Sequence, residues 1–161
     1  VAGWTYSFGA GIRDAWLVKT DSYGNEEWNK TFGSSGYDVG HSVRQTSDGG
    51  YIVAGYSCTS CFDTGGSDFW LIKTDSHGNK LWNKTFGGPQ PDYGQSVQQT
   101  SDGGYVVAGR TFSFGAVNGD AWLIKTDSAG NEVWNKTFGG SDANYANDVK
   151  MTSDGGSSVI G

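Results

Sequence analysis

Apolar residues along this chain come in short runs separated by glycine and Asx clusters, never at helical spacing. Ala15-Trp16-Leu17-Val18-Lys19-Thr20-Asp21 returns as Phe69-Trp70-Leu71-Ile72-Lys73-Thr74-Asp75 and again as Ala121-Trp122-Leu123-Ile124-Lys125-Thr126-Asp127. Trp28-Asn29-Lys30-Thr31-Phe32 recurs at Trp82 to Phe86 and at Trp134 to Phe138. The spacing from Trp28 to Trp82 is 54 residues and from Trp82 to Trp134 it is 52. A third element, Gln45-Thr46-Ser47-Asp48-Gly49-Gly50-Tyr51, returns at Gln99 to Tyr105 and in degraded form at Met151 to Ser157.

Each period reads as four short strands. In the best-preserved copy strand A is expected at 96–100 and strand B at 105–109, joined by Ser101-Asp102-Gly103-Gly104, whose glycines accept positive φ at low cost. Strand C is expected at 120–126 and strand D at 132–138, joined by Asp127-Ser128-Ala129-Gly130-Asn131. Longer loops run over 111–119 and 139–147. Four antiparallel strands at such a period are a blade pattern, and consecutive apolar positions such as Trp16-Leu17-Val18 suit a sheet covered on both faces. The expected fold is therefore all-β: a β-propeller of four-stranded antiparallel blades of about 52 residues, with three repeats in this chain. One array is expected over 1–161: strands B–D of a first blade at 1–33, blades at 42–87 and 96–139, and strands A–B of a further blade at 148–161.

The pieces Asp21 to Trp28, Asp75 to Trp82 and Asp127 to Trp134 share the pattern Asp-x-x-Gly-x-x-x-Trp. This resembles the tryptophan docking motif of quinoprotein-like propeller blades. The whole unit, with its Ser-Asp-Gly-Gly-Tyr and Trp-Asn-Lys-Thr-Phe-Gly-Gly ends, is similar to a repeat of archaeal and bacterial secreted proteins. The resemblance covers essentially the whole chain. It implies an extracellular or cell-surface propeller and carries no catalytic residues across. Docking tryptophans are structural, so pyrroloquinoline quinone does not follow, and no cofactor is expected.

Charge narrows the partners. Lys+Arg is 11 against Asp+Glu 17, a formal net charge of −6, which argues against nucleic acid because that ligand needs a basic footprint. No apolar run approaches the ~18 residues of a membrane span, so no membrane insertion is expected. The chain starts at Val1 and not Met, as a processed product or part of something longer would.

Candidate chemistry is sparse. Asn29, Asn83 and Asn135 each open an Asn-Lys-Thr sequon on strand D, readable as one glycan per blade or as plain edge-strand chemistry copied three times. Cys58 and Cys61 stand alone in the enlarged B–C loop. A zinc site needs further ligands, so a local disulfide is the expected state and no metal is expected. Asp14, Asp68 and Asp120 open strand C in every repeat, and Asp38, Asp92 and Asn144 form a second column in the D–A loop. They suit calcium or sugar hydroxyls, or the capping of loop amides. His41, Gln95 and Asn147 share a column that reads as plain polar loop.

The long loops hold aromatic residues among these acids, and the hairpins hold none of comparable variety. The expected binding face comprises Asp14, Tyr37, Asp38, Phe62, Asp68, Asp92, Tyr93, Asp120 and Tyr145, since variable aromatic loops on a rigid frame suit recognition. The expected function is a non-enzymatic extracellular module serving as an interaction or structural surface. A lectin-like propeller and a propeller hydrolase or lyase are the alternatives. Expected partners are further blades of a longer chain or other copies in a head-to-tail ring or filament, with strands after Asp148 completing a neighbour's Asp14 to Phe32 pair, and glycans as possible ligands.

Overall fold

A computed structural model of the chain describes residues 1–58, 66–115 and 118–161. Among them it is all-β and antiparallel, with every sheet a simple meander. The first sheet is β1 (Ala2–Thr5), β2 (Asp14–Thr20) and β3 (Glu26–Phe32). The second is β4 (Tyr37–Gln45), β5 (Tyr51–Cys58), β6 (Asp68–Thr74) and β7 (Lys80–Phe86). The third is β8 (Asp92–Gln99), β9 (Tyr105–Thr111), β10 (Asp120–Thr126) and β11 (Glu132–Phe138). The last is the pair β12 (Asp148–Met151) and β13 (Ser157–Ile160).

Strands C and D begin and end where the repeat places them. Strand A does not: β4 and β8 start at Tyr37 and Asp92, ahead of the expected blade starts at 42 and 96. The reason is a β-bulge in each, between Gly40 and Ser42 and between Gly94 and Ser96. One unpaired residue lets the ladder continue through a Gly-x-Ser sequence that reads as loop.

The sheets stack in chain order, and each joint repeats the last. Between the first two sheets, Ala15, Leu17 and Phe32 meet Val53, Trp70 and Ile72. Between the next two, Phe69 and Leu71 meet Val97, Val107, Trp122 and Ile124. The period-2 alternation of a strand thus sends Leu71 forward and Trp70 and Ile72 back, so both faces of the middle sheet are core. Trp70 and Trp122 are 6% and 2% exposed, and each buried ring contributes on the order of 1.5–3 kcal/mol.

Strand D tryptophans behave differently. Trp28 and Trp82 are half-buried and Trp134 is 38% exposed. Each of the first two lies over a glycine of the following sheet's C–D turn. A Cβ on Gly78 would stand 2.6 Å from the Trp28 ring, and one on Gly130 would stand 2.8 Å from Trp82. Both glycines also have positive φ, 75° and 77°, so the turn and the docked ring demand the same residue. Trp28 and Trp82 finish edge-on against Tyr51 and Tyr105, with centroids 5.7 and 5.9 Å apart.

Candidate functional site: the loop ends of the sheets

Antiparallel order puts the ends of strands B and D and the starts of strands A and C on one side of every sheet. The A–B and C–D hairpins fall on the other. The hairpins are chemically closed. Asp21, Asp75 and Asp127 each accept backbone amides from two and four residues on and the side-chain amide of Asn25, Asn79 and Asn131. Those bonds, with the Asn side chain foremost, hold all three carboxyls below the ordinary Asp range. Asp48 and Asp102 close the A–B turns with Lys73 and Lys125, at 2.9 and 3.0 Å.

The loop side carries three groups of aromatic and arginine side chains. In the first, the Arg13 guanidinium lies 4.2 Å from the Trp4 ring and 5.0 Å from Tyr6, with Tyr37 at 5.6 Å. Its hydrogen bond to the Tyr6 hydroxyl raises the already high Arg13 pKa. In the second, Tyr56 meets His41 and Tyr93 edge-on at 5.5 and 5.1 Å. Burial pushes the Tyr56 phenol up, with Arg13 opposing it. In the third, Arg110 lies 3.8 Å from Phe112 and 4.1 Å from Tyr145. Trp4, Tyr6 and Tyr145 are 45%, 61% and 49% exposed.

The expected acidic residues do not share that exposure. Asp14, Asp38, Asp92 and Asp120 are buried, Asp38 and Asp92 completely, and Asp68 is half-buried. They serve the loops from within. Asp14 accepts the Gly11 amide at 2.9 Å, and Asp38 accepts the Ser34 amide at 2.7 Å. Asp92 accepts the amides of Gly88 and Phe112 and the Ser113 hydroxyl. This is the capping role. The two columns meet across a glycine: a Cβ on Gly33 would fall 2.2 Å from Asp14 Oδ1 and 2.8 Å from Asp38 Oδ2. Asp68 and Asp92 flank Gly87 in the same way, and Asp120 and Asn144 flank Gly139. Burial, and then the Asp92 charge, push the Asp68 carboxyl above the usual range. Among the described residues no three His, Cys, Asp or Glu side chains converge as metal ligands.

Of the expected face, Tyr37, Tyr93 and Tyr145 reach the surface clusters. Phe62 lies outside the described residues. Cys58 is buried and is not a free thiol; Cys61 lies outside the described residues. Asn29, Asn83 and Asn135 are exposed on the strand D edge. Each also has a structural task, accepting the indole N–H of Trp16, Trp70 or Trp122 at 3.4, 3.2 and 3.2 Å.

Sequence reasoning passed over Trp4, Arg13, Tyr56 and Arg110. Trp4, Tyr56 and Arg110 form a legible column, each directly following the strand B glycine at 3, 55 or 109. It read the column of His41, Gln95 and Asn147 as plain polar loop, where the structure gathers these residues into one groove. There His41, Ser42, Gln95, Ser96, Asn147 and Asp148 line a polar cavity of 410 Å³. His41 and Gln95 are the extra residues of the two bulges, which turn them out of the ladder. His41 Nδ1 bonds the Gly94 carbonyl at 2.9 Å and Ser96 donates to Asp148 at 2.6 Å. Asp148 is held below the ordinary range by Ser96 first and Lys150 second.

No protein-family model matches the chain, and no curated protein matches it. Among solved structures, it is similar to a protein of unknown function from Bacteroides caccae, with a TM-score of 0.56 and 13% identity over 98% of this chain. The chain spans about half of that protein, 49% of its length. At such identity the likeness concerns the fold alone.

Proposed function

We propose that the stacked sheets are blades of a β-propeller and that their loop side is a non-catalytic recognition surface, in an extracellular or cell-surface protein. The blade reading is supported by the four-stranded meanders, the repeated face-to-face joints, and strand A edges that share one polar groove. Cys58, buried and not a free thiol, suits an oxidising compartment.

The observation that carries the recognition reading is the row of Trp4–Tyr6–Arg13, Tyr56–Tyr93 and Arg110–Tyr145 on one side. Trp, Tyr and Arg are the residues that dominate binding energy at protein interfaces. Trp4, Tyr56, Tyr93 and Arg110 stand on strand ends, where little ordering entropy opposes binding, and Tyr6, Arg13 and Tyr145 on the adjoining loops. On the opposite side the turn carboxylates are already satisfied by their own amides, with the exposed ring of Tyr23 on one of the turns. A protein partner fits this composition best.

Selection from a displayed peptide library, with a glycan array run in parallel, tests the reading. Enriched peptides should lose binding to Trp4→Ala, Tyr93→Ala and Arg110→Ala chains and keep it for hairpin variants such as Ser76→Ala. Peptides indifferent to the loop substitutions would refute it. Sugar binding that depends on the same residues would move the assignment to the lectin alternative.

A further inference from the structure

The two arginines of the loop side are held in place and left without a counter-ion. The repeat requires neither of them: Ser67 and Gly119 stand where Arg13 does, and Trp4 and Tyr56 where Arg110 does. Both guanidinium groups nevertheless lie on rings, Arg13 over Trp4 and Tyr6, Arg110 over Phe112 and Tyr145. Stacking fixes the plane of the fork and leaves its edge for acceptors. The chain supplies few. Arg13 donates to the Tyr6 hydroxyl and Arg110 to the Asn118 carbonyl, and the Nε–H of each is buried with no partner. Among the described residues the ion pairs all use lysines. The buried acids Asp14, Asp38 and Asp92 are spent on loop amides.

The two forks stand at opposite ends of one row. Arg13 reaches the Tyr56 phenol, Tyr56 meets Tyr93 at 5.1 Å, and Tyr93 is directly opposite Arg110 in the β8–β9 ladder. Opposite residues of a ladder lie about 5 Å apart, so the row is on the order of 15 Å long, or about four to five residues of extended chain. No single phosphate or sulfate group spans that distance. Two carboxylates carried on one backbone do. The surroundings agree in sign. Glu26, Glu27 and Glu132 are exposed but open strand D at the hairpin end. On the loop side Asp142 is the exposed acid among the described residues. The net charge of −6 is screened beyond about 8 Å at physiological salt, so the local arginines decide what docks.

We propose that the partner of this surface is an acidic peptide segment in extended form. Two of its carboxylates pair with Arg13 and Arg110, and the residues between them lie on Tyr56 and Tyr93. The inference rests on the recognition reading of the loop side and names the chemistry that side selects. A carboxylate matches the planar fork with two parallel N–H···O bonds. Rings that hold each fork in advance reduce the ordering that binding would otherwise cost. The tyrosines supply contact area, and the arginines set the register of the segment along the row.

Peptides enriched by display on the unaltered chain, sequenced and then followed by fluorescence anisotropy, test it. They should carry two acidic residues about four to five positions apart. Amidating either acid, Glu to Gln or Asp to Asn, should weaken binding about tenfold, and added sodium chloride should weaken it further. Arg13→Gln and Arg110→Gln chains should show the same loss, and each should be indifferent to amidation of the acid it no longer meets. Arg110→Glu should recover affinity for a peptide with Lys at that acid. Asp142→Asn should tighten binding. The peptide substitutions leave the chain untouched, so they decide the matter even where an arginine variant unsettles its loop. Peptides that depend on Trp4 and Tyr93 but carry no acidic pair, or bind equally when amidated, would overturn this inference and leave the recognition reading standing. Failure to enrich any loop-dependent peptide would overturn both. Acidic glycans held on an array through both arginines, in place of peptides, would also overturn it.

Discussion

The two sides of the sheets are made from the same strands and solve the same problem in opposite ways. On the hairpin side the turn acids are bound within their own sheets, Asp21, Asp75 and Asp127 by their own Asn and amides in one geometry and Asp48 and Asp102 by strand C lysines. On the loop side the acids of the two columns are buried or half-buried, and the surface is handed to Trp4, Tyr6, Arg13, Tyr56, Tyr93, Arg110 and Tyr145, which differ from repeat to repeat. Side chains that repeat without change hold the frame. Side chains that change at a fixed position are released from that duty and are free to recognise something.

The sharpest break in this division is a core ring. Trp122→Ala should cost about 3–5 kcal/mol in chemical denaturation, because the indole is 2% exposed and packs on Phe69. Trp82→Ala should cost less, about 1–3 kcal/mol, since that ring is only half-buried. Equal losses would mean that strand D tryptophans are part of the interior after all.

A second comparison isolates docking from turn geometry. Gly103 and Gly130 both have positive φ, at 83° and 77°. A Cβ on Gly103 would meet nothing nearer than 3.9 Å, and one on Gly130 would meet Trp82 at 2.8 Å. Alanine should therefore cost about 1–2 kcal/mol more at Gly130 than at Gly103. Equal costs would show that the ring merely passes over the turn.

Acid titration separates the two sides again. Asp48 and Asp102 have depressed carboxyls, Asp48 chiefly through Lys73 and Asp102 chiefly through Thr100. Their stabilisation is complete above the unfolded value of about 4 and is lost as pH falls through the folded value. Asp68 is raised by burial and by Asp92, so its contribution is complete below about 4 and is lost as pH rises through its folded value. Stability should peak in mild acid, and Asp68→Asn should flatten only the decline toward neutral pH. A profile rising monotonically to pH 7 in the unaltered chain would contradict the shifted Asp68.

Much of the frame was legible because repetition fixes it. Strands C and D follow from Trp16, Trp70, Trp122 and the Asp-x-x-Gly turns. The starts of strand A were not legible, since a bulge after Gly40 and Gly94 looks in sequence like a loop with a polar residue. The acidic columns were legible as columns and not as buried. Asp is ordinarily a surface residue, and only the room left by Gly33, Gly87 and Gly139 lets two acid or amide groups face each other inside. The arginine clusters were missed because stacking is set by how the loops fold and not by a fixed spacing: Arg110 meets both Phe112 and the distant Tyr145.

The smallest effects on stability should accompany the largest effects on binding. Trp4→Ala and Tyr145→Ala touch exposed rings and should change stability by less than about 1 kcal/mol. The most direct measurement of the central claim is amide chemical-shift mapping with a peptide enriched by display. The account predicts shifts at loop-side amides such as Tyr37, Tyr93, Arg110 and Tyr145, and still spectra at Gly24, Gly78 and Gly130. Shifts confined to the hairpin turns, with the loop side silent, would contradict it.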